Sequence, residues 1–135
     1  MNPFLEHPMT TITTADIEQR KATLIERGRA VRIMLDGAEA RRPERAATVA
    51  VATATESKST GAIRATVESA TSDKTYTVTI DGPVRGRTRS MSCTCRDFGR
   101  NGRACKHIIA VGQRYITARR NEYLLLRDMA EMFGL

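Results

Sequence analysis

The chain has 135 residues, 41% of them hydrophobic, which is enough for one small core and too little for several domains. Its formal charge is +7, from 22 Lys and Arg against 15 Asp and Glu, and that balance favours anionic partners. Aromatic residues make up only 4%, with no Trp, which argues against a stacking platform for single strands. No stretch approaches the roughly 18 consecutive apolar residues of a membrane span.

Residues 1–13, with Pro3, Pro8 and a Thr run, read as a flexible tail. They lack the basic start and apolar centre of a secretory signal, so a reducing, cytoplasmic location is expected. Thr13 and Thr14 are candidate N-caps, with Asp16 and Glu18 in the first turn. Ile17, Leu24, Gly28, Val31 and Leu35 then recur at helical spacing, with Ile25 beside them. The spacing predicts an amphipathic helix of about twenty residues, stopping near Gly37. Arg20, Lys21, Arg27 and Arg32 fall elsewhere on the wheel, where a solvated basic face is expected.

Residues 38–45 form a polar connection containing Pro43. Val49 and Val51 alternate with alanines, a pattern that suits a strand but is also compatible with a helix. Ile63, Ala65 and Val67 alternate with polar residues, and so do Tyr76, Val78 and Ile80, the clearest strand in the chain. Residues 56–61 and 71–74 are rich in turn formers. Short turns between consecutive strands predict an antiparallel meander of three to four strands. The fourth is expected within residues 85–91.

Next comes the densest cluster of chemistry in the sequence. Cys93, Cys95, Cys105 and His107 are spaced C-x-C-x9-C-x-H and include every cysteine present. Three thiolates and an imidazole make a closed tetrahedral zinc set. Cys93 and Cys95 lie two apart, so in an extended segment both sulfurs face one ion. Cys105 and His107 are also two apart, but helical periodicity follows them. On a helix such residues do not share a face. Cys105 should therefore sit at or before the helix N-terminus, with His107 in the first turn. The glycines and asparagine between the pairs predict tight turns. A Cys93–Cys95 disulfide would close a very small ring and strand Cys105. Iron–sulfur ligation is disfavoured by a histidine as fourth ligand. One structural zinc ion is the expected cofactor.

After His107 a helix is expected to about Arg120, with Asn121 breaking it. A second helix then carries Leu125, Met129 and Met132 as an apolar stripe, expected to pack on the first helix or on a partner protein. The expected organisation is a tail at 1–13, a zinc-stabilised domain at 14–120 and an amphipathic helix at 121–135. The fold class is α+β: an N-terminal helix, a small antiparallel sheet, and a zinc site at the start of a C-terminal helical segment.

The zinc motif and its neighbours resemble the SWIM zinc finger. Tyr76-Thr77-Val78 resembles its Y-x-V strand, Cys93-Thr94-Cys95-Arg96-Asp97-Phe98 its C-T-C-x-D-F segment, and Cys105-Lys106-His107-Ile108 its C-K-H-I helix start. The resemblance runs from about Tyr76 to Val111. SWIM modules occur in chromatin-remodelling-type ATPases, mutator-like transposases, a signalling kinase and proteins that accompany recombinase paralogues. The resemblance implies a module that binds DNA or protein and has no catalysis of its own.

The residues themselves point the same way. Arg85, Arg87, Arg89, Arg96, Arg100, Arg103 and Lys106 surround the zinc motif, with Asp97 the only acid between Arg85 and Lys106. That segment is a candidate surface for DNA or RNA phosphates. The sequence holds no nucleophile–base pair, no P-loop and no H-x-E with P-C-x-x-C deaminase motif. Four protein ligands would leave zinc no open position, so no enzyme activity is expected. A larger protein partner, met through Leu125, Met129 and Met132, is the competing expectation. No membrane and no small-molecule substrate are expected.

Overall fold

The computed structural model describes residues 13–35, 46–69, 72–81, 90–101, 104–132 and 134. Helix α1 spans Thr14–Leu35. Its start is a reciprocal cap: the Asp16 amide donates to Thr13 Oγ1 at 3.2 Å, and the Thr13 amide donates to Asp16 Oδ2 at 3.1 Å. The hydrogen bond from Thr13 holds the Asp16 carboxyl below its ordinary range. Ile17, Leu24, Arg27, Val31 and Met34 form the buried stripe.

Four strands follow: β1 (Ala50–Glu56), β2 (Ile63–Glu68), β3 (Thr75–Ile80) and β4 (Met91–Cys93). They lie in the order β1-β2-β3-β4, each antiparallel to the next. The alanine-rich segment after Val49 is thus a strand, with a bulge between Val51 and Thr53. Gly61 closes the β1–β2 turn with φ at +76°, a conformation that glycine adopts freely. Of the residues expected to hold a fourth strand, 85–89 lie outside the described ones. The described strand begins at Met91 and runs into the first cysteine.

Register explains the core. Ala54, Ala65, Val78 and Cys93 form one rung across the sheet, and Glu56, Ile63, Ile80 and Met91 form another. Ala65, Val67, Val78, Ile63 and Ile80 are all buried on the covered face. Cys93 therefore continues a core row, while Glu56 carries a carboxylate onto the same face at the sheet edge.

Helix α2 (Arg96–Asn101) and helix α3 (Lys106–Met132) follow. The expected break at Asn121 does not occur: α3 is continuous through it. Asn121 faces solvent, where its amide need not compete with the backbone. One residue on, Glu122 is pinned by Arg20 and Arg119. The first two turns of α3, His107 to Gly112, are buried all round between the sheet and α1. Beyond them only Tyr115, Ala118, Arg119, Glu122 and Leu126 stay buried. Arg114 ties the helix to the sheet, donating to the Val49 carbonyl at 2.5 Å.

Val31 of α1 lies beside Gly112, and Ile17 and Leu24 cluster with Leu126, so α1 and α3 pack antiparallel. Of the two places expected for the stripe, this contact bears only on the first: the residue that packs on α1 is Leu126, not Leu125 or Met132. Leu126 is 5% exposed, whereas Leu125 is 42% and Met132 76% exposed, and Met129 is half-buried. The assumed break at Asn121 set the phase of the last turns independently of the turns before them.

Candidate metal centre

Each ligand arrives by a different local rule. Cys93 ends β4, paired with Val78, and points into the core. Thr94 between the cysteines turns to β3 instead. Its amide donates to the Thr77 carbonyl at 3.2 Å, and its Oγ1 accepts from the Thr77 amide at 3.0 Å. That pairing leaves Cys93 and Cys95 on the same inward side, both buried. Cys105 precedes α3 and His107 sits in its first turn, as the spacing requires. The segment between the pairs differs from the expected turns in one respect: Arg96–Asn101 is the short helix α2.

The four ligand atoms lie within 4.8 Å of one another, and all four residues are buried. His107 Nδ1 is 3.8 Å from Cys93 Sγ and 3.9 Å from Cys105 Sγ. A zinc tetrahedron with ordinary bond lengths has ligand–ligand edges of about 3.6–3.8 Å. The set closes around one ion with no position left over, which defines a structural site. The Tyr76 ring packs against the His107 imidazole, with centroids 4.8 Å apart. Tyr76 belongs to the Y-x-V strand, and this contact adds to the pairings that Thr77 and Val78 of the same strand make with Thr94 and Cys93.

Backbone amides turn toward the sulfurs, Phe98 N–H donating to Cys95 Sγ at 3.4 Å. Among the protein groups alone, hydrogen bonds from Cys93, His107 and the Ile108 amide pull the Cys105 thiol down to about 4, against the opposing effect of burial. The same contact with Cys105, and then burial, pushes Cys93 up, while burial pushes Cys95 up. A dication offsets the cost of holding several sulfurs as thiolates in one buried spot. Protons compete for those sulfurs, so metal affinity falls as pH falls.

The residues present fit zinc, and fold and site together define a small zinc-binding module. Residues 76–115 match the family model of the SWIM zinc finger, and the chain carries a SWIM zinc finger there. The match reaches one turn past Val111, to the buried Tyr115. No curated protein and no solved structure matches the chain.

The basic residues divide. Arg96, Arg100 and Lys106 are exposed beside the metal centre, while Arg85, Arg87, Arg89 and Arg103 lie outside the described residues. Sequence reasoning missed a second charged cluster. Arg27, expected in solvent, is 8% exposed. It donates to the Lys58 carbonyl at 2.9 Å and lies 3.5 Å from Glu56. Tyr115 also donates to Glu56, and Arg119 and Arg20 hold Glu122 at 2.6 and 2.5 Å. Two carboxylates and three guanidiniums thus bridge α1, β1 and α3. The hint was Glu56 at an inward register position, legible only once the register is known. Among the described residues no helix is long and apolar enough to cross a membrane.

Proposed function

We propose that the zinc module presents a basic surface that binds nucleic acid through its phosphates. The observation that carries this is the placement of Arg96 and Arg100. They lie one helical turn apart on α2, share a face, and are exposed next to the metal centre. Lys106 adds a third exposed cation at the start of α3. Three thiolates with one zinc dication carry only about −1, which a single cation balances. The segment from Arg85 to Lys106 carries seven basic residues against one acid. Contacts of this kind position a protein on a duplex or a folded RNA and read little sequence.

The test is Arg96→Glu with Arg100→Glu, measured by binding to duplex DNA and duplex RNA across a salt series. Neither residue is a zinc ligand, so the double variant keeps its metal. Loss of two phosphate contacts lowers the slope of log K against log salt by about 1.8 on duplex DNA. An unchanged slope would mean that these arginines only offset the thiolates.

A second reading, an adaptor for a larger DNA-metabolism or transcription protein, is favoured by Leu125 and Met132. Both are exposed apolar side chains on the last turns of α3. Loss of a co-purifying partner on Leu125→Asp with Met132→Asp, with DNA binding intact, would select this reading.

A further inference from the structure

The α1–α3 pair leaves a second surface that the zinc module does not use. Two adjoining clefts run along the outside of the helix pair and share Arg32, Ile116 and Arg120 in their walls, so they form one groove. Its floor is apolar: Ile116, Tyr123 and Leu124 from α3, and the half-exposed Ile25 from α1. Its rim is cationic. Arg29, Arg32 and Arg120 are exposed; among the described residues no carboxylate lines either cleft and none pairs with these three arginines.

Gly28 lies in the wall of this groove, in the interior of α1. A helix-interior glycine is less favourable than alanine, and packing often explains one. It does not here: a Cβ built on Gly28 meets nothing within 4 Å, whereas one on Gly112 comes 2.9 Å from Leu35 Cδ1. Gly112 lets the helices approach. Gly28 only keeps the groove open.

From the apolar floor, the cationic rim and this open glycine, we infer that the groove docks an acidic amphipathic segment of a partner protein. An apolar floor rewards an apolar face, which a sugar–phosphate backbone lacks, and three exposed guanidiniums reward carboxylates beside that face. From Gln113 to Leu124 the α3 wall is about 16 Å long, which suits a helix of about three turns with two or three apolar anchors. The site begins about two turns along α3 from Lys106 and is separate from the basic surface of the zinc module.

The experiment is a selection from displayed random peptides of about three helical turns on the zinc-loaded full chain. The enriched peptides are then made with a fluorescent label and titrated by anisotropy. Enriched sequences should pair apolar residues at helical spacing with Asp and Glu. Gly28→Leu, which fills the groove without touching the fold, should weaken them roughly tenfold or more and leave zinc content and duplex DNA affinity unchanged. Arg29→Glu with Arg120→Glu should weaken the same peptides, and reversing the peptide's own charges to Lys should restore part of that loss. Thermal melting confirms that each variant is folded; if Gly28→Leu is not, the charge-swap pair decides alone. The inference is overturned if no peptide is enriched, if enriched peptides bind both sets of variants as well as the parent, or if duplex DNA competes for the groove.

Discussion

Cys105 shows how much one residue carries. It is fully buried and belongs to the main apolar core, and its sulfur also completes the ligand cluster at the start of α3. Structural thiolate sites contribute on the order of 10–16 kcal/mol of apparent binding free energy at neutral pH. That is comparable with the whole net stability of a small domain, about 5–15 kcal/mol, so loss of the metal is expected to unfold the SWIM segment. Cys105→Ala removes one of four ligands and leaves a cavity at the junction of sheet and helix. The expected outcome is a fall from one zinc per chain to almost none, with loss of amide-exchange protection across residues 76–115. Metal analysis of the purified variant with hydrogen exchange checks it. A variant that keeps its zinc and its protection would mean that three ligands suffice.

Among the elements, α1 and α3 differ in what their glycines do, and the difference has opposite consequences. Gly28 faces open space, so Gly28→Ala gains helix propensity without a clash and should stabilise by about 0.5–1 kcal/mol. At Gly112 a Cβ comes 3.2 Å from Val31 Cγ1 as well as 2.9 Å from Leu35, and Val31 is fully buried. Leu35, at the end of α1, can give way; Val31 has no room to. Overpacking of this kind costs typically about 1–3 kcal/mol, more than the roughly 1 kcal/mol of propensity gained. Gly112→Ala should therefore lower the denaturation midpoint while Gly28→Ala raises it. Midpoints that move in the same direction would show that the close approach of α1 and α3 at Gly112 is absent in solution.

The same two helices show how far the sequence alone could lead. Alternation located β2 and β3, the two-residue offsets located the metal ligands, and the start of α3 followed from Cys105 and His107. These depend on neighbours in the chain. The phase of the last turns did not follow, because Leu124, Leu125 and Leu126 offer three phases and only a continuous helix selects one. Tyr115, Ala118, Glu122 and Leu126 continue a single stripe, which an imagined stop at Asn121 erased. Arg27 was misplaced for a related reason. Its partners Glu56 and Lys58 lie about thirty residues away, and nothing local marks a guanidinium that will be buried.

At the scale of the whole molecule, two apolar clusters are joined by charge. The larger spans the inner sheet face, the three cysteines, the first half of α3 and the end of α1. The smaller is Ile17, Leu24 and Leu126, with Tyr123 and Ala130 against them. Between the two run Glu56, Glu122 and the arginines that hold them. Zinc secures the first cluster, and the second depends on Leu126 keeping α1 against the far half of α3. Leu126→Ala should cost about 2–3 kcal/mol, the lower part of the usual range, because the small cluster lies near solvent and can collapse. It should also loosen the Arg20–Glu122 contact one turn away, so that α1 frays from its N-terminal end while the metal stays bound. Leu125→Asp with Met132→Asp places charge on side chains already in water and should change stability by no more than about 0.5 kcal/mol. Denaturant unfolding of both variants, read with zinc content and helical signal, separates the two cases. If the exposed pair proved as costly as Leu126, those side chains would be covered in solution. A concentration-dependent mass would then identify a second copy as the cover.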